Sequence, residues 1–182
     1  MKKIIALMLL LAMPITLLAQ TSASSQLTEM KKLDFLVGQW QGEGWYVVGP
    51  GKRRTFKQTE NIQRKVDGLV LLIEGLGKGK IDDKGEEVTI HSAFAAVSYD
   101  NEAKAFRWRA FAKGKLAGGN WIDVEPKVSE NKVVWGFRDA QAAEIRFTIT
   151  LNEKGQWFEI GEVSSDGKTW QKFFEMTLNR VK

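Results

Sequence analysis

Turn-forming residues divide this sequence at regular intervals, roughly every ten residues from Gly38 to the C-terminal end. The runs between them are rich in Val, Ile, Phe, Trp and Thr, which favour strands. Steps such as Asp67-Gly68 and Asp166-Gly167 supply the positive φ that tight hairpins need. The predicted strands are 39–48, 54–66, 69–77, 88–99, 105–112, 118–125, 132–138, 144–151, 157–163 and 169–179.

Several of these runs alternate between apolar and polar residues. Phe106, Trp108 and Ala110 alternate with arginines, and Val133, Trp135 and Phe137 form another apolar row. Period-two alternation predicts strands with one face toward a core. About ten hairpin-linked strands without a long helix predict an all-β fold, an antiparallel up-and-down barrel, because closure removes exposed edges. We expect a short helix or turn over 26–36, a glycine-rich hairpin loop over 75–80 and a loop over 139–144.

The N-terminus predicts export from the cytoplasm. Lys2 and Lys3 precede a short apolar run, and Ala19 offers a cleavage point before a polar segment. The run is short for a membrane span, so we read 1–19 as a signal peptide, 20–25 as a disordered lead and 26–182 as one barrel domain. We therefore expect a secreted or periplasmic protein that is not stably inserted in a membrane. The alternative is that the N-terminal segment stays uncleaved and anchors the protein.

Charge and cysteine content narrow the possible partners. The formal net charge is +5, but Lys2 and Lys3 account for part of it and the remaining charges are interspersed. This balance does not call for a nucleic-acid partner. The chain has no cysteine, so the core alone must stabilise the fold, and neither a disulfide nor a cysteine-ligated metal is available.

One predicted strand carries polar residues in an apolar phase. Gln58, Glu60 and Arg64 alternate in step with Phe56 and Ile62. If this phase faces inward, the barrel holds a polar cluster able to orient the head group of a ligand. The alternative is a bulge that turns these three side chains toward water.

His91 is the only histidine and lies in a strongly apolar strand. A lone histidine without cysteines does not form a metal site, and we expect a hydrogen-bonded structural residue. We predict no metal, no cofactor and no catalytic constellation, since the chain has no nucleophile elbow or phosphate loop. Axial ligation of haem by His91 is the alternative.

The two ends of the chain resemble a known group of proteins. Phe35, Gly38, Trp40, Gly42 and Gly44 match the first strand of calycins, the superfamily of lipocalins, fatty-acid-binding proteins and nitrobindins. The closest resemblance is to uncharacterised bacterial secreted proteins that begin in this way and end with a Ser-x-Asp-Gly-Lys-Thr-Trp stretch, as 164–170 does here.

The resemblance implies a pair that closes one barrel end, with Trp40 packed against Arg180 of the last strand. It also implies a small apolar ligand inside the barrel. The late histidine that binds haem in nitrobindins has no counterpart in 157–179.

These observations favour a non-enzymatic barrel that binds a small hydrophobic or amphipathic molecule. The expected ligand-binding residues are Gln58, Glu60, Arg64, His91, Trp108 and Trp135. The alternatives are a barrel enzyme with Glu60, Arg64 and His91 as its polar groups, and an envelope protein with a filled core that acts through protein contacts.

Overall fold

The computed structural model describes residues 23–82, 84–116 and 119–181. Residues 23–30 form helix α1, which a 3-10 turn, Lys31–Leu36, continues. Eleven strands follow: β1 Gly38–Gly49, β2 Lys52–Lys65, β3 Val70–Lys80, β4 Glu87–Asp100, β5 Ala105–Leu116, β6 Gly119–Val124, β7 Lys127–Ser129, β8 Lys132–Arg138, β9 Glu144–Leu151, β10 Trp157–Ser164 and β11 Gln171–Arg180. The predicted all-β class and short N-terminal helix are confirmed, and the loop predicted over 139–144 is found at 139–143, since Glu144 begins β9.

The N-terminal segment departs from expectation in part. We expected 20–25 to be unstructured, but 23–25 belong to α1, where Thr28 Oγ1 donates to the Ser24 carbonyl at 3.0 Å. The signal peptide predicted over 1–19 lies outside the described residues. No helix in the described part is long and apolar enough to span a bilayer.

The strands form one curled antiparallel sheet in the order β6-β5-β4-β3-β2-β1-β11-β10-β9-β8-β7. The first and last strands of the chain therefore pair with each other at the centre of this order, with Trp40 opposite Arg180. Among the described strands, β6 pairs only with β5 and β7 only with β8. A seam without a hydrogen-bond ladder thus separates β6 from β8, and the Trp108 and Trp135 indoles stack across it with centroids 5.4 Å apart.

One barrel end is closed by the predicted pair. The Arg180 guanidinium lies 4.1 Å from the Trp40 ring centroid and donates hydrogen bonds to the carbonyls of Val37 and Phe35. Trp40 Nε1 donates to the Leu36 carbonyl at 2.8 Å. The cation therefore holds the chain entering β1 while its charge stabilises the indole face.

Two segments differ from the sequence prediction. Residues 75–80 are not a loop, because β3 continues to Lys80 with Gly75, Gly77 and Gly79 on its inward face. Absence of side chains there leaves room for the larger residues of β2. The strand β7 was not predicted, since it has three residues and follows the break at Pro126.

Candidate functional site

The barrel encloses an internal cavity of about 400 Å³. Inward side chains of β1 to β5 and β8 to β11 line it, and most of them are apolar or aromatic. This volume lies within the range of pockets that hold small organic ligands. The barrel is therefore not packed solid along its length.

A continuous series of aromatic rings forms one wall of the cavity. Phe147 stacks on Trp135 with centroids 4.6 Å apart, and Trp135 stacks in turn on Trp108. Phe147 also meets Phe174 edge-on at 5.7 Å, and Phe174 stacks on Phe56 at 5.5 Å. These rings give the cavity a broad apolar wall, which suits the hydrophobic part of a ligand.

Two polar side chains from β2 enter the cavity. β2 pairs with β1 and with β3 without a register shift at Gln58 or Glu60, so no bulge turns these side chains outward. They therefore point inward, as Phe56 and Ile62 on the same strand do. Gln58 Nε2 donates to Glu60 Oε1 at 2.6 Å. A Cβ on Gly75 would lie 2.8 Å from the same Glu60 oxygen, so the missing side chain makes room for the carboxyl.

A second carboxyl, Glu159 on β10, lines the same cavity. Its Oε2 accepts a hydrogen bond from Trp157 Nε1 at 3.0 Å. Only 6% of the Glu159 surface and 8% of the Glu60 surface is exposed. Two nearly buried carboxyl groups thus share one small apolar space.

Burial changes the acidity of both groups. It raises the pKa of Glu159 to about 8, against a smaller opposing effect of the hydrogen bond from Trp157. Burial also raises the pKa of Glu60 to about 8; the hydrogen bond from Gln58 opposes the rise, and the negative charge of Glu159 adds to it. At neutral pH, therefore, the cavity favours the protonated, neutral form of each carboxyl.

Five of the six ligand-binding candidates from the sequence line this cavity: Gln58, Glu60, His91, Trp108 and Trp135. Arg64 does not. Its guanidinium donates to the carbonyls of Gly68 at 3.2 Å and Met30 at 3.5 Å, and it forms an ion pair with Asp34. Arg64 shares the inward phase but lies near the end of β2, so it fastens the N-terminal helical segment instead.

His91 differs from the expectation of a hydrogen-bonded structural histidine. It lies on β4, is exposed, and has no hydrogen-bond partner in the described part of the chain. Crowding by its neighbours removes enough hydration to lower the pKa of the imidazole. Its exposure shows that the cavity reaches the surface on this side, and ligation of haem by His91 stays an untested alternative.

The sequence reasoning missed Glu159. Both phases of β10 carry apolar side chains, Phe158 and Ile160 on one face and Trp157 on the other. Alternation therefore did not indicate which face points inward. Gly161, which lies on the same face of β10 as Glu159, was the one sequence feature that could have indicated the inward face. A Cβ added there would lie 2.8 Å from the Phe147 ring.

A larger depression of about 740 Å³ lies on the outer face of β1 to β6. Its lining includes outward residues such as Asn61, Glu74, Phe94 and Phe111, and Asn61 Nδ2 donates to Glu74 Oε2 at 2.9 Å. Glu74, Phe94 and Phe111 are exposed, and Asn61 and Glu74 are already paired with each other, so the interior cavity is the better candidate site. Within the described residues, no group of three or more His, Cys, Asp or Glu could hold a metal ion.

The fold of this chain is similar to that of solved structures, although its sequence is not. No protein-family model and no curated protein sequence matches the chain. Rv2717c from M. tuberculosis superposes with a TM-score of 0.56 at 11% identity, covering 84% of this chain and 97% of that one. The S-type phycobiliprotein lyase CPES from Guillardia theta gives 0.54 at 11% identity, covering 90% and 97%. The fold is calycin-like. Similarity at this level of identity carries no activity from either protein to this chain.

Proposed function

We propose that this protein binds a small hydrophobic or amphipathic molecule inside its barrel. The observation that carries the proposal is the cavity of about 400 Å³ with an aromatic wall and two nearly buried carboxyl groups. Apolar surface supplies affinity in such sites, and a few polar groups fix the orientation of the ligand. Gln58, Glu60, Trp108 and Trp135 are the proposed contacts, with Glu159 added and His91 where the cavity reaches the surface.

Filling the cavity should weaken binding strongly. Ala95 lines the cavity, whereas its neighbour Ala96 points to the outer face of β4. We expect Ala95→Phe to weaken binding of the probe N-phenyl-1-naphthylamine at least about tenfold, because the new ring occupies the ligand volume. Ala96→Phe is the matched control and should bind as the unaltered protein does.

Probe fluorescence titration measures this, with thermal unfolding to verify that both variants fold. Equal affinity in Ala95→Phe and Ala96→Phe would place the probe outside the barrel. Native mass spectrometry of protein purified from its source would then search for a natural ligand, and a Soret absorption band would point to haem.

A barrel enzyme is the second candidate. Two nearly buried carboxyls with raised pKa values in one cavity support it. The position of Arg64 weakens the version that used Glu60, Arg64 and His91 together, because the guanidinium is engaged outside the cavity. A filled barrel acting only through surface contacts receives less support, given the internal volume.

We also propose that the protein works outside the cytoplasm, in the periplasm or the medium. The support is the charged, apolar and small-residue order of 1–19. N-terminal sequencing of the protein from its source should begin at residue 20. A chain that retains Met1 and fractionates with the cytosol would contradict this.

A further inference from the structure

The buried carboxyls of Glu60 and Glu159 have unused hydrogen-bonding capacity. Each engages one oxygen, Glu60 Oε1 with Gln58 and Glu159 Oε2 with Trp157. The second oxygen of each has no hydrogen-bond partner, and neither carboxyl has an ion-pair partner, among the described residues. Burying the ionised form of either group is costly, and the charge of Glu159 adds to that cost for Glu60.

The cavity offers no cation of its own to offset this cost. The titratable side chains lining it are Glu60 and Glu159, with Tyr46 on β1 and His91 on β4, and the described lining contains no lysine or arginine. His91 is exposed and its imidazole favours the neutral form. A positive charge beside an ionised carboxyl in this cavity must therefore come from a molecule that enters it.

The remaining wall suits such a molecule. Trp108, Trp135 and Phe147 line the cavity and stack face to face on one another, so together they offer a bound molecule a continuous apolar area. The free acceptor oxygens of Glu60 and Glu159 are complementary to an organic cation. The buried Nε1 donors of Trp108 and Trp135, which have no partner in the described part of the chain, suit an acceptor elsewhere on the same ligand.

We propose that Glu60 and Glu159 bind a positively charged nitrogen of the ligand, so that the cavity selects amphipathic amines or other apolar organic cations. This inference rests on the proposed function and specifies its ligand class. Both carboxyls line one cavity and the charge of Glu159 acts on Glu60, so a single ligand can reach either of them. The apolar part of the ligand then lies along the aromatic wall.

Binding of a cation should be coupled to loss of protons from the carboxyls. Since burial favours their neutral forms in the empty cavity, a cation that requires a carboxylate displaces a proton to solvent. The affinity should therefore rise with pH up to about 8, where both pKa values lie, by up to about tenfold per pH unit for each proton released. Tyr46 and His91 also face the cavity, so the variants Tyr46→Phe and His91→Gln test whether they contribute to this pH dependence.

Three probes of nearly equal shape test the proposal on the full folded chain. They are 2-naphthylmethylamine, its N,N,N-trimethyl derivative, whose charge is the same at every pH, and neutral 2-naphthylmethanol. Isothermal titration calorimetry at pH 6, 7 and 8, in two buffers with different ionisation enthalpies, measures affinity and proton release together. The variants are Glu60→Gln and Glu159→Gln, with Glu74→Gln on the outer face of β3 as the matched control.

We expect both cations to bind at least about tenfold more tightly than the alcohol at pH 8, with the preference shrinking at pH 6. Each cavity variant should remove most of the preference and the proton release, and Glu74→Gln should change neither. Equal affinity of cations and alcohol, unaffected by the cavity variants, overturns the inference but leaves the proposed function intact. Failure of all three probes and of N-phenyl-1-naphthylamine to bind contradicts both. His91→Gln or Tyr46→Phe removing the pH dependence would also overturn the assignment to the carboxyls.

Discussion

The free energy of unfolding should fall as the pH rises from about 5 to about 8. In the folded protein Glu60 and Glu159 keep their protons up to a pKa of about 8, whereas an unfolded glutamate loses its proton near 4.5. The folded state therefore binds more protons across this interval, and rising pH favours the unfolded chain. Above about 8 both states are ionised and this contribution levels off, after a loss on the order of a few kcal/mol.

Glu60→Gln and Glu159→Gln should flatten this slope. Glutamine keeps the shape and stays neutral, so each variant should be more stable than the unaltered protein at pH 8 and close to it at pH 5. Urea unfolding followed by tryptophan fluorescence at several pH values measures the difference, with Glu74→Gln expected to keep the original slope.

Other titrating groups do not imitate the effect. The lowered pKa values of Asp100 and Asp166 act at acidic pH, below this interval. The lowered pKa of His91 makes stability rise with pH up to about 6.5, opposite in sign, and both glutamine variants retain it. Parallel stability curves for the unaltered protein and both cavity variants would show that the carboxyls are already ionised near neutral pH.

Trp40→Ala should destabilise the protein by about 3–5 kcal/mol, as expected for removal of a large buried aromatic side chain. The indole is only 1% exposed and meets Trp157 edge-on with centroids 5.9 Å apart. Its loss also removes the hydrogen bond to the Leu36 carbonyl and the surface on which the Arg180 guanidinium rests. Chemical denaturation at fixed pH measures the change.

Trp45→Ala is the matched control on the same strand. Trp45 faces outward and is half-buried, with the Arg53 guanidinium 3.7 Å from its ring centroid and a hydrogen bond from its Nε1 to Glu175 at 3.4 Å. We expect a loss of about 1 kcal/mol, since exposed cation–π and polar contacts are worth little. Losses of equal size in the two variants would contradict the closing role of Trp40.

Much of the fold could be predicted because strand periodicity and turn chemistry are local signals. β8 and β9 run from 132 to 138 and from 144 to 151 as predicted, because clear turn residues bound each of them. The segment 75–80 could not be predicted, because alternating glycines indicate a loop unless the bulky partners on the next strand are known. The pairing of Trp40 with Arg180 came from family resemblance, since no local pattern specifies it.

Residues of the site could be predicted only where polar side chains stand among the apolar side chains on one face of a strand. Gln58 and Glu60 are conspicuous among the inward residues of β2, so their phase could be singled out. Glu159 could not be distinguished, because its strand is apolar on both faces. The direction of Arg64 depends on where β2 ends and on α1 packing nearby, and neither follows from the alternation of residues along one strand.

Because no ladder among the described strands crosses the seam between β6 and β8, closing the sheet depends on the pairing of β1 with β11. Each other ladder joins neighbours in sequence, whereas the β1–β11 ladder joins residues as far apart as Trp40 and Arg180. The described strands therefore form two meanders, β1 to β6 and β7 to β11, which meet through this one nonlocal ladder. Nonlocal pairing carries the largest loop-closure cost and slows folding. A circular permutant that joins the native ends and opens the chain at 125–126 would convert every ladder into a local one, and it should fold faster to the same barrel.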